Sequence, residues 1–299
     1  MKAIWGRRAL FLLGLFLSPC AFSDAKEVSY RSKIEADRKE MEEKLRAPDG
    51  WLSLIGLHWL KEGVNSFGSS NSSAIVLPEG SVRESAGAFV RKKNKVYLVK
   101  AEGSGVLLNG KELGKKTLLK PDVSNSPDLV KAGRIEMHLI DRSGKLGIRI
   151  KDPESPTRKH FKGQVWYPIE ESFRVEAIFE PFSEPRDVIH PNEIGQELKF
   201  KSLGNLRFIW RDKTYKLATF GEPKKMLFII FRDQSSGKST YGGGRFLSAG
   251  PVSVENKTSI DFNEAHNPPC AFTKFATCPL APSQNNLDFE VAAGEKVGP

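Results

Sequence analysis

Apolar residues change their spacing along this chain, and the change falls near residue 50. Between residues 28 and 46 (VSYRSKIEADRKEMEEKLR), Tyr30, Ile34, Met41 and Leu45 recur at helical spacing while charges fill the other positions. That pattern predicts one amphipathic helix, with Glu35 and Lys39 set four apart on its polar side. Pro48-Asp49-Gly50 is a turn signal that ends it. WLSLIGLHWL at 51–60 is apolar at almost every position, so it reads either as a buried strand or as a short core helix. VNSFGSSNSS at 64–73 reads as a loop.

Beyond that loop the period becomes two. GAFVRKKNKVYLVKA at 87–101 is a hairpin pattern around a basic turn, and GVLLNGKEL at 105–113 carries Asn109-Gly110, a strong hairpin signal. In GRIEMHLIDRSGKLGIRIKD (133–152), Ile135, Met137 and Leu139 alternate, residues 141–145 turn, and Leu146, Ile148 and Ile150 alternate back. Phe173, Val175, Ala177 and Phe179 form another strand, and 205–220 reads as two strands around Arg211-Asp212-Lys213. MLFIIF at 226–231 is apolar throughout, as a central strand covered on both faces would be.

The expected fold is therefore mostly β, with packed antiparallel sheets in a sandwich or barrel-like arrangement and an N-terminal amphipathic helix. The expected segments are a leader at 1–23, the helix at 24–50, a first β-rich half at 51–152 and a second at 153–299. The prolines of 153–156 and 181–191 mark the softest boundaries, and a single domain built from both halves stays open.

The first residues change the picture most. Lys2, Arg7 and Arg8 precede the apolar run Ala9–Leu17, and Ala21 and Ser23 stand before a cut ahead of Asp24, the pattern of a secretory leader. The run is shorter than the about 20 residues that span a bilayer, and no later segment reaches that length. The expectation is an exported protein, periplasmic or secreted, with no transmembrane segment after cleavage; lipidation at Cys20 is the alternative. The chain carries 46 basic and 36 acidic residues, a net charge of +10. The leader holds three of the basic residues and no acid, which leaves +7. The lysine clusters lie in turns and no basic helix interleaved with aromatics occurs, so nucleic acid is not an expected partner.

Cys270 and Cys278 remain after cleavage, and in an oxidising compartment they read as a disulfide that clips one loop. They lie too far apart in sequence for the logic of a C-x-x-C redox motif. The five histidines are scattered singly, so no metal site is expected, and no cofactor is implied. No G-x-S-x-G, H-E-x-x-H or phosphate-loop motif occurs. GGGRF at 242–246 lacks the Lys-Ser/Thr of a phosphate cradle. His138 is expected to face solvent, and His58 to pack between Trp51 and Trp59, tryptophans that form either core or a ligand platform.

Two stretches concentrate polar chemistry. Arg149 and Asp152 stand at a strand end, where a carboxylate-held guanidinium presents a planar fork to an anion, or simply forms a structural ion pair. In the C-terminal third, Asp233 follows the buried strand and Tyr241 and Arg245 flank a glycine run. Asp261, Asn263 and Asn267 follow, offering side chains that either cap turns or bind a polar ligand. Pro268-Pro269 stiffens that segment.

WLSLIGLHWLKEG at 51–63, Arg149-x-x-Asp152, Phe161-x-Gly163, STYGGGRFL at 239–247 and DFNEAHNPPCAFTKFATCPLAPSQNNL from residue 261 together resemble a bacterial family known as domain of unknown function 1684. The resemblance runs from about Trp51 to Lys296. It implies a shared unit of fold and no established activity. The expected function is binding of a small polar or anionic ligand in a polar cleft, through Arg149, Asp152, Tyr241, Arg245, Asp261, Asn263 and Asn267. Two alternatives stand beside it. One is a hydrolase using Asp233 or Asp261 as general base and Arg245 as charge stabiliser; the other is a structural or envelope-interaction protein. The sequence sets no oligomeric state.

Overall fold

The computed structural model describes the backbone of residues 20–298 and the side chains of residues 29–298. The leader read at 1–23, with Cys20, lies outside the fully described residues. Among the described residues no helix is long and apolar enough to cross a membrane.

Helix α1 spans Cys20–Arg46. Its expected stripe faces inward, with Ile34 and Leu45 buried and Tyr30 and Met41 partly so. Polar side chains fix its docking. Arg38 donates to the carbonyls of Tyr167 and Asn263, 3.2 Å each, and lies over the Trp166 ring at 4.5 Å. At the helix end Arg158 donates to the Arg46 carbonyl at 2.7 Å, answering one of the acceptors that a helix leaves open there.

The first half is a sandwich. Trp51–Ser53 makes a 3-10 turn and Leu54–Trp59 a strand, so the ambiguous apolar run divides between both readings. One sheet has six strands, with Lys145–Lys151 between Leu54–Trp59 and Ile135–Arg142; the other has five. Phe67, Phe89, Leu98, Ile135 and Ile148 pack in the core between them. Asn109 and Gly110 both take positive φ, +51° and +76°, as the tight turn between Leu107–Leu108 and Lys111–Glu112 requires. The segment read as a loop at 64–73 is a correction: Gly63–Gly68 is a strand paired antiparallel with Gly87–Lys92. Its polar Asn65 is buried because it serves the backbone, accepting from Lys61 N–H and donating to the Lys61 and Phe89 carbonyls.

The second half has its own core, centred on Phe208, Phe231, Leu247 and Phe262. A four-stranded sheet of Lys213–Ala218, Glu197–Trp210, Arg174–Pro191 and Lys257–Asp261 accompanies a three-stranded one built around Met226–Phe231. The prolines of 181–191 do not break the chain, contrary to the boundary expected there. Lys257–Asp261 pairs only with residues 174–178, so beyond them the strand is an edge, where a missing N–H costs no ladder bond. The register shift between Pro181 and Arg186 takes up the rest.

Among the described residues no sheet mixes strands of the two halves, and the two large cores share no residue. The halves meet where the outer face of Lys145–Lys151 and Ile135–Arg142 faces segment 267–279. Arg142 donates there to Thr277 Oγ1 at 2.9 Å.

Candidate functional site

Most of the residues expected to bind a ligand are committed to the fold. Gly244 takes φ +102°, and a Cβ on it would sit 2.7 Å from the Phe231 carbonyl, so glycine is required for the chain to turn in beside that strand. The turn delivers Arg245 at 0% exposure. Its guanidinium donates to the carbonyls of Ala293 and, at 3.0 Å, Val291, and lies 3.4 Å from Asp233. Asp233 in turn accepts from Ser235, Ser236 and the Val291 N–H. The pair clasps segment 291–293 onto the sheet.

Asp261 and Asn263 are likewise structural. Asp261 accepts from Tyr30 at 2.7 Å and caps the Asn263 N–H at 3.0 Å. Asn263 exchanges bonds with both the N–H and the carbonyl of Glu170. Burial, reinforced by the Asp261 carboxylate, pushes the Tyr30 phenol well above its usual range. These residues staple α1 to the second half. Neither Asp233 nor Asp261 is open to act as a general base.

The Arg149–Asp152 pairing is also corrected. Residues three apart on a strand project to opposite faces, and Asp152 is taken by Arg134, at 3.0 and 3.1 Å, while capping the Glu154 N–H. Arg149, 8% exposed, faces the second half without a carboxylate; it lies over Trp51 at 5.3 Å and reaches Thr277 Oγ1 at 3.4 Å. Burial lowers its pKa from the arginine value. His138, on the same sheet face, is half-buried and not solvent-facing, and burial holds its pKa low. Tyr241 donates to Glu193 at 2.5 Å.

What stays open lies at the junction of α1, residues 49–51 and segment 266–272. A cleft of about 440 Å³ is bounded there by Leu45, Trp51, Lys151, Gln164, Asn267 and Phe272. A second, of about 340 Å³, shares Gln164, Asn267 and Phe272 and adds Tyr241 and Glu295. Trp51 is 37% exposed, so of the two tryptophans weighed as a platform it is the one available at the cleft.

Asn267 is held in one orientation. Its Nδ2 donates to the Lys296 carbonyl at 2.9 Å and its backbone N–H to Glu295 Oε2 at 2.8 Å, which leaves Oδ1 turned away with no protein donor. Gln164 Oε1 is buried beside the same clefts, also without a protein donor. The sequence did not single out Gln164 or Glu295. They come together because Val165–Trp166 pairs with Glu295–Lys296, a two-residue ladder that no periodicity announces. Glu295 is 1% exposed, and burial pushes its carboxyl from 4.5 up to about 7 against the lowering effect of the Asn267 N–H. Lys151, which also lines the first cleft, donates to the Asp49 carbonyl. Among the described residues no three of His, Cys, Asp and Glu gather as a metal-ligand set.

Residues 159–296 match the model of a family described as Protein of unknown function (DUF1684). The second half belongs to the DUF1684 family. The match stops short of the first half, so residues 51–158 lie outside the region it covers, although the resemblance read from the sequence began at Trp51. No curated protein matches the chain. Among solved structures, an uncharacterised protein from gene locus rrnAC0354 of Haloarcula marismortui is similar at 29% identity over 48% of this chain and 80% of its own, with a TM-score of 0.40. An FHA domain studied for phosphothreonine-dependent interactions covers 32% of this chain and 92% of its own at 15% identity. The FHA-2 domain of a Mycobacterium tuberculosis ABC transporter covers 30% and 77% at 24% identity. Both FHA domains have TM-scores of 0.23. At these scores the likenesses say nothing about what the DUF1684 half binds.

Proposed function

We propose that this protein binds a small, hydroxyl-rich, sugar-like molecule in the cleft beside Trp51, Gln164 and Asn267. One observation carries the reading: Gln164 and Asn267 line the same two clefts, and each holds a buried side-chain carbonyl oxygen, Oε1 and Oδ1, that accepts no hydrogen bond from the protein. A buried acceptor left unpaired costs about 1–3 kcal/mol, which a ligand hydroxyl recovers when the amide turns its oxygen to the cleft. Trp51 offers a flat apolar face to the same molecule, and the volume falls within the range of small-ligand sites. Unpaired acceptors suit a hydrogen-bond donor better than an anion. The hydrolase alternative has lost both of its aspartates to the fold.

The pattern of a secretory leader at 1–23 supports binding outside the cytoplasm; an exported protein has an intact mass beginning at Asp24, and one retaining residue 1 contradicts export. A thermal-shift panel of neutral monosaccharides and polyols tests the binding. A ligand well above its Kd raises Tm by several degrees. Gln164→Met, which keeps the length of the side chain without its oxygen, stays folded and loses that shift. A panel with no stabilising member, or a shift that survives in Gln164→Met, removes the reading.

A further inference from the structure

Cys270 and Cys278 are free thiols in this structure, and their surroundings differ. Pro268 and Pro269 open a 3-10 turn over Pro269–Ala271, and the chain then loops back so that the Cys278 N–H points at Cys270 Sγ, 3.1 Å away. From the first half comes Arg149, buried, with Nε unpartnered and no carboxylate of its own. Asp122, in the same region, is taken by Arg142 through bonds of 2.6 and 3.0 Å. A buried guanidinium without a counter-charge is costly, and the sulfurs of Cys270 and Cys278 are among the groups that favour its charge.

We propose that Cys270 is a reactive thiolate whose counter-cation is Arg149, that Cys278 is its resolving thiol, and that hydroperoxides oxidise the pair to a disulfide. Exposure orders the two roles: Cys270 is the partly exposed thiol, whereas Cys278 is buried. The ionisation tendencies agree in direction. Hydrogen bonding by Cys278 and the charge of Arg149 lower the Cys270 pKa against burial and the Glu193 carboxylate, while Cys278 is pushed well above the usual thiol range by its bond to Cys270 and by burial. Tyr241, bonded to Glu193, is the remaining titratable neighbour, and its phenol stays protonated, pushed up by burial and Glu193.

The chemistry balances in two steps. The Cys270 thiolate attacks a peroxide oxygen; the S–O bond forms, the O–O bond breaks, and the alkoxide leaves with a solvent proton as an alcohol. Cys278 sulfur then attacks the Cys270 sulfenic acid. The S–S bond forms, the S–O bond breaks, and hydroxide leaves with the Cys278 proton as water. Two thiols and one hydroperoxide give one disulfide, one alcohol and one water. The inference is independent of the sugar reading, because it needs neither Gln164 nor Asn267 Oδ1.

The test begins with full-length mature protein, reduced with dithiothreitol and desalted, then alkylated with iodoacetamide between pH 5 and 9 and followed by peptide mass. Cys270 is expected to react with a midpoint below the about 8.5 of a free thiol, and at least roughly tenfold faster than Cys278 at pH 7. One equivalent of hydrogen peroxide removes two hydrogens and both thiols. In Cys278→Ser the oxidation stops at a sulfenic acid on Cys270 that dimedone traps. Arg149→Met discards a buried unpaired charge and is expected to fold; it slows Cys270 alkylation at pH 7, because the cation that favours the thiolate is gone. The proposal is overturned if Cys270 reacts no faster than Cys278, if peroxide oxidises the thiols without forming the disulfide, or if Arg149→Met leaves the Cys270 rate unchanged.

Discussion

Arg245→Ala is expected to lose about 3–5 kcal/mol of stability, the usual cost of removing one partner from a buried ion pair. The guanidinium is wholly enclosed, and its removal strips Asp233 of its counter-charge. It also leaves the carbonyls of Val291 and Ala293 without their donors. The three hydrogen bonds that Asp233 receives from Ser235, Ser236 and Val291 persist but carry no compensating charge. Replacing both members, in Arg245→Met with Asp233→Asn, is expected to recover part of the loss, because neither position then buries a lone charge. Urea unfolding of the single and double variants reads this directly. A single variant within about 1 kcal/mol of the parent protein, the scale of an exposed pair, contradicts the clasp. The residue that looked most like a ligand-gripping arginine in the sequence is therefore a poor probe of binding: its loss would abolish binding by loosening the fold.

Glu295→Gln is expected to act in the opposite direction, with a gain that grows as pH rises from about 4.5 to about 7 and is constant above. The carboxyl is lifted from 4.5 to about 7 in the folded protein, so between those values the folded state holds a proton that the unfolded state has released. Stability rises with pH where the unfolded state binds more protons, and here the folded state does. The contribution of Glu295 is thus fully present below about 4.5 and is lost as pH climbs through 7. Glutamine keeps an acceptor for the Asn267 N–H and never ionises. At pH 8 the variant is expected to exceed the parent protein by roughly 2–4 kcal/mol, at about 1.4 kcal/mol per pKa unit, and at pH 4.5 the two converge. Unfolding curves across that range decide it; a difference that does not change with pH contradicts the buried, proton-holding carboxyl.

Elements were legible in the sequence where local chemistry and burial agree. Asn109-Gly110 makes a turn for reasons internal to two residues, and the alternation of Ile135–Leu139 and Leu146–Ile150 records one face against a core. Legibility failed where a polar residue serves the backbone. Asn65 made a strand look like a loop, and Pro181 made an edge look like a boundary.

The candidate site failed for the same reason and on a larger scale. Irregular connections must satisfy their own backbone groups, so the density of acids and amides in residues 261–267 measured capping demand more than ligand contact. Asp261 and Asn263 are both spent in that way. Asn267 survives because only its Nδ2 and N–H are used. Gln164 and Glu295 stand 131 residues apart in number, and only their short shared ladder makes them neighbours. Arg149 was visible as an arginine at a strand end. That it lacks a carboxylate was not, because the partner that takes Asp152, Arg134, arrives from the turn before the neighbouring strand.

The central claim is that the junction of Trp51, Gln164 and Asn267 takes a donor-bearing ligand. Proton–nitrogen NMR of the labelled protein, titrated with the neutral monosaccharides and polyols, tests it most directly. The account predicts saturable shifts of the Trp51 indole and of the Gln164 and Asn267 side-chain amides, with the Tyr30–Asn263 staple unmoved. A panel that moves none of these three side chains, or that moves residues elsewhere and not these, contradicts it.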